Sequence, residues 1–208
     1  MNFNVPAGYL ALPVGMTLQD AQEMVLRHAS VAGHEDASNE QAVAQAVANL
    51  HNLSQGLRFA GTVYAGFYLH EHEGQLSLGS LTVAAQPVSY GATGIAVAGM
   101  VSAFGQRGRG SQVMGKPFDL PCGKAAVFTG EFPYVIPGSD LSQGQDVSII
   151  LQQLQAFIPI PREAVGGQDG MTVVTVLTPS RAHWELYARH AVEVLRSLEF
   201  DGVDSRPV

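Results

Sequence analysis

From residue 57 to residue 86 the hydrophobic period of this chain is two, and it is broken once, by His-Glu-His-Glu-Gly at 70–74. Phe59, Val63, Ala65, Phe67 and Leu69 fall on one face; Thr62, Tyr64, Tyr68 and His70 fall on the other. Such alternation is the mark of a β-strand, where successive side chains point to opposite sides of the sheet. Two strand runs joined by a short polar turn must be antiparallel neighbours, because a parallel crossover needs a dozen residues or more. With one apolar face and one mixed, aromatic face, the hairpin requires a helix layer on at least one side.

The remaining segments extend this pattern. Residues 3–12 read as a short hairpin, Phe3 to Val5 and Tyr9 to Leu12 around Pro6-Ala7-Gly8. Strands are expected at 111–118, 123–132, 146–158 and 171–178, the last β-branched enough to be central. Residues 133–145 and 159–170, rich in Pro and Gly, read as loops. A helix is predicted over 18–32 with Thr17 as its cap, and a second over 39–54, with Ser38 and Gln41 in capping-box spacing and Gly56 as the stop. A third starts at Thr178-Pro179 and runs to about 197, burying Trp184, Tyr187, Ala191, Val194, Leu195 and Leu198. Residues 91–105, uncharged and glycine-rich, fit either a short helix or a further sheet element. The fold class is therefore α+β, an antiparallel β-sheet with helices packed on it. One domain is expected over 1–200, followed by a flexible C-terminal tail at 201–208.

Composition narrows the function classes. The chain has 208 residues, 46% hydrophobic and 14% charged, which is ample for a real core. The net charge of −7 argues against both a general grip on nucleic acid and a polybasic membrane patch. No apolar run reaches the ~18 residues of a membrane span, and the N-terminus carries no secretory pattern, so the expected location is cytoplasmic. Only Lys116 and Lys124 are lysines among 11 basic residues, a bias that reads as a GC-rich bacterial source.

Candidate chemistry is sparse. Gly110-Ser-Gln-Val-Met-Gly115-Lys116 has phosphate-loop spacing, but Pro117 stands where a Ser or Thr should reach magnesium, and no helix pattern follows. His70 and His72 would share one side of a strand, yet two ligands do not complete a metal site. Cys122 sits near Lys124 without an assignable base and reads as a turn or buried thiol. Nucleophile-elbow and zinc-protease motifs are missing. No catalytic residue, metal or cofactor is expected. The leading reading is a non-catalytic binding or accessory protein whose partner is another protein, with homo-oligomerisation left open. The alternative is a hydrolase or transferase with a dispersed site, for which a pocket at Tyr64, Tyr68 and His70 would speak. Contact surfaces favour aromatics, Met and Arg. Two places offer that mix: the Tyr64/Tyr68 face of the hairpin, and the 99–114 stretch with Met100, Phe104, Arg107, Arg109 and Met114.

The closing segment Val-Val-Thr-Val-Leu-Thr-Pro-Ser-Arg-Ala-His-Trp-Glu-Leu-Tyr-Ala through Ser-Leu-Glu-Phe (173–200), with the opening Phe-Asn-Val-Pro-Ala-Gly-Tyr-Leu-Ala-Leu-Pro (3–13), resembles actinobacterial proteins of the PsbP-like α/β/α sandwich class, LpqN-type relatives among them. The resemblance covers about a fifth of the chain. It implies a binding or accessory domain and transfers no catalytic residue.

Overall fold

The computed structural model describes residues 1–31, 40–72, 74–107, 113–136, 138 and 144–201, with the backbone alone at 28–31, 104–107 and 165. Among them, seven strands form one sheet: β1 (Tyr9–Leu12), β2 (Thr62–His72), β3 (Gln75–Pro87), β4 (Met114–Leu120), β5 (Gly123–Ile136), β6 (Val147–Ile160) and β7 (Gly170–Thr178). Their spatial order is β1-β2-β3-β7-β6-β5-β4, and every pairing is antiparallel. The β-branched run at 170–178 is thus the middle strand of seven, as its composition predicts. The helices are α1 (Leu18–Val31), α2 (Glu40–Phe59), α3 (Thr93–Arg107) and α4 (Trp184–Ser197).

The main core lies between the sheet and α4. Leu81 and Val83 of β3 stand opposite Val176 and Val174 of β7, which in turn face Leu154 and Ala156 of β6. All six are buried, and Tyr187, Ala191, Val194 and Leu198 of the C-terminal segment close over them. Each large side chain so buried contributes about 1.5–3 kcal/mol. Trp184, at the start of α4, packs half-buried against the same core. The opposite sheet face carries α3, whose Val97, Met100 and Val101 meet Ala126, Phe128 and Phe157. The uncharged stretch at 91–105 is therefore mostly helix, and the sheet has a helix on each face. α1 and α2 pack on each other through Ala21 and Val47, with Met16 from the segment before α1 in the same cluster, and α2 leads into the start of β2.

Several boundaries differ from the sequence reading. The N-terminal hairpin does not form: only Tyr9–Leu12 pairs, with β2, while Asn2 bridges Glu199 and Phe3 packs edge-on against Tyr64. Burial of Phe3 and Val5 against the main core outweighs a local turn. α2 runs through Gly56, where a side chain would meet open space, and stops three residues later. Gly61 is the real terminator: its φ is +68°, and a Cβ there would strike the Ala85 carbonyl. Pro133 is in β5, opposite Ile150, rather than in a loop. The last β4–β5 pair is Met114 with Thr129, so among the described residues nothing pairs with the outer side of β5 from Gly130 onward, where proline costs no ladder bond. Thr178-Pro179 does not open the last helix directly. Thr178 donates to the Leu78 carbonyl at 2.6 Å and accepts from the Ser180 amide at 2.9 Å, and a 3₁₀ turn at Arg181–His183 precedes α4. Thr17 caps α1 as expected, its hydroxyl accepting from the Asp20 amide at 3.2 Å while Asp20 accepts from the Thr17 amide at 3.0 Å. Ser38 and residues 202–208, part of the expected cap and tail, lie outside the described residues.

Candidate interaction surface

The alternation of the long hairpin resolves in one direction: its aromatic face, not its apolar one, lies under α4. Tyr68 stacks at 5.9 Å edge-on to Tyr187, at 5.4 Å to His190, at 5.5 Å to Tyr9 and at 4.9 Å to His70. Tyr64 and Tyr68 are both half-buried there against the main core. What admits the Tyr187 ring is the smallness of the returning strand beneath it. Ser77 is hydrogen-bonded to the Tyr187 hydroxyl at 2.8 Å, and a Cβ on Gly79 would fall 2.8 Å from ring atoms Cδ1 and Cζ and closer still to Cε1. Burial raises the phenol pKa of Tyr187 and pushes that of Tyr9 well above its ordinary value; burial lowers that of His190. The Tyr9 hydroxyl and the Nδ1 atoms of His183 and His190 are buried without a hydrogen-bond partner. The arrangement is a packed aromatic layer.

The other candidate residues are dispersed. Met100 is half-buried on the sheet-facing side of α3, and Met114 is exposed at the outer edge of the sheet, on the side of α4. Phe104 and Arg107 lie in α3, but their side chains, and the whole of Arg109, are outside the described residues. His72 contacts His183 edge-on at 4.9 Å, and among the described residues no three His, Cys, Asp or Glu side chains are grouped as a metal site. Lys116 and Pro117 sit in edge strand β4, so no helix follows the phosphate-loop-like spacing.

A cleft of about 410 Å³ opens beside the start of α3, lined in part by Tyr90, Thr93, Cys122, Lys124 and Arg162. Its cations are engaged: Lys124 pairs with Asp119 at 2.8 Å, and Arg162 pairs with Asp169 at 2.6 Å while reaching the Tyr90 carbonyl at 3.4 Å. Burial raises the Cys122 thiol pKa, the opposite of what a nucleophile needs. The cleft therefore reads as a tied-down loop junction.

A surface with a clear physical signal is the sheet face opposite α4. Among the described residues α3 packs mainly over β4, β5 and β6. Beyond it, β1 presents Leu10, β2 presents Phe67 and Leu69, and β3 presents Leu76 and Leu78. The far end of the β5–β6 pair adds Tyr134, Ile136 and Val147 on the same side. Apart from the half-buried Phe67, each of these is between 41% and 71% exposed. The register joins the two groups across the middle of the sheet: Leu10 stands opposite Phe67, Phe67 opposite Ser80, Ser80 opposite Leu177 and Leu177 opposite Gln153. Sequence reasoning found the apolar stripe on β2 but not its exposure. The available signal was the small pair Ser77 and Gly79, which marks the opposite face as the one that receives a helix.

No family model, no curated protein and no solved structure matches this chain. Among the described residues no helix is long and apolar enough to cross a membrane.

Proposed function

We propose that this protein is a non-catalytic binding or accessory protein that works by protein–protein contact through the open face of its sheet. The observation that carries the reading is the band of exposed Leu, Ile, Val and Tyr side chains on that face, where a monomer would ordinarily bury such residues under a helix. The layering of α4 and α3 on opposite sides of an antiparallel sheet supports the PsbP-like α/β/α reading of the fold. The acidic balance, −7 overall, supports a protein partner over nucleic acid. A cytoplasmic location goes with this proposal. The test is affinity capture from cells that express the chain, using wild type and the variants Leu69→Ser and Leu78→Ser, each checked for an unchanged fold by circular dichroism. The account expects a partner to be recovered with wild type and lost from both variants. Undiminished recovery from both would remove this face as the contact surface.

A further inference from the structure

We infer that the open sheet face is the interface of a symmetric homodimer, in which a second copy of this chain packs the same face against it. This rests on the contact reading above and names the partner. Three observations favour a copy over an unlike protein.

The first is area. The exposed fractions of the seven apolar side chains named above, at the size of large side chains, amount to on the order of 600 Å². The half-buried Phe67 and Leu177 and the polar groups between them bring the face near the ~800 Å² that each partner gives to a standard interface.

The second is charge. The chain carries −7, so contact between two copies is favoured where the meeting surfaces bring no like charges close together. On the β2, β3 and β7 part of this face the residues pointing outward include Ser80, Thr82, Thr175 and Leu177, and among the described residues Glu71 at the tip of β2 is the charged exception. Depletion of charge at the centre is the compositional mark of interfaces, and homodimer interfaces are the more apolar class.

The third is self-complementarity. In a two-fold interface the same patch must serve both sides. Ser80 and Gln153, in the row that joins the two apolar groups, each carry a donor and an acceptor, so either can pair with a polar group of the same row on the second copy. A patch of one charge sign or of acceptors alone could not. Two sheets meeting face to face pack at ~10 Å with interdigitated side chains, the geometry such a band is suited to.

The experiment is sedimentation equilibrium of the full chain up to about 100 μM, above the micromolar Kd of the weaker interfaces of this size. Wild type is expected at twice the 22.0 kDa chain mass. The double variant L69E/L78E, at positions 45% and 43% exposed, is expected at the single-chain mass, because added like charges then face each other across the interface. L26E, on an exposed position of α1, should remain dimeric. A monomeric wild type, or a dimer that survives L69E/L78E with the fold intact by circular dichroism, overturns the inference. A monomeric wild type whose captured partner is lost from the Leu69→Ser and Leu78→Ser variants would sink the homodimer while leaving the broader contact reading in place.

Discussion

Replacing Gly79 by alanine sets two effects of opposite sign against each other. In a strand interior a glycine-to-alanine change normally stabilises, by roughly 0.4–1 kcal/mol, because it restricts the unfolded chain. At Gly79 the added Cβ would enter the ring of Tyr187, 2.8 Å from Cδ1 and Cζ and nearer to Cε1. The ring has no room to retreat: Tyr187 is fully buried, held by Ser77 at 2.8 Å and edge-on to Tyr68. Overpacking of this kind costs about 1–3 kcal/mol, so the clash wins. A net loss of about 1.3 kcal/mol, the mid-range clash less the mid-range gain, should lower Tm by about 3–5 °C in a chain of this length. Differential scanning calorimetry measures it directly. The double variant with Tyr187→Leu should recover at least ~1 kcal/mol relative to the sum of the single changes, since the two residues touch. A Gly79→Ala protein as stable as wild type would refute the packing of α4 over β3 as described.

Other consequences follow from the same contacts. Gly56→Ala, in α2 where the side chain meets open space, should stabilise by about 0.5–1 kcal/mol, read as a rise in the urea midpoint. Gly61→Ala, at φ +68° and against the Ala85 carbonyl, should destabilise by at least ~1 kcal/mol in the same titration. Burial holds the pKa of His190 below its ordinary ~6.5, so the unfolded chain takes up a proton that the folded chain refuses. Stability is therefore full above ~6.5 and is lost as pH falls through the lower folded value. His190→Phe should flatten that part of the profile of unfolding free energy against pH. Thr17→Ala should cost about 1 kcal/mol through loss of the α1 cap, again measured by urea unfolding.

The fold was legible in the sequence where periodicity and burial agree. The stripe Tyr187, Ala191, Val194 is spaced for one helix face, and the run 171–178 is β-branched on both faces, so both elements follow from side-chain pattern alone. Pattern failed where tertiary partners decide. Gly56 has the residue type of a helix stop but not the φ; Gly61 has both, and only the neighbouring Ala85 carbonyl enforces it. Pro133 reads as a loop until β4 is seen to end beside Thr129. The two hairpin tyrosines among the candidates are half-buried for a related reason. Tyr64 and Tyr68 carry the residue types of an interface, yet they are drawn under α4 because Gly79 and Ser77 leave space for a ring there. The leucines at 69, 76 and 78 carry the types of a core and are exposed, because among the described residues α3 packs mainly over β4–β6 rather than over β2 and β3. Which face a helix chooses depends on contacts far apart in sequence, and a period of two marks two faces without ranking them.

In-cell photocrosslinking from the open sheet face tests the central claim most directly. A photoreactive amino acid at position 78, exposed on β3, is compared with one at position 26, exposed on α1. The account predicts a covalent protein adduct from position 78 and none from position 26, whether the adduct is a second copy of the chain or another protein. An adduct from position 26 alone, or none from position 78 in cells where the protein is abundant, would contradict it.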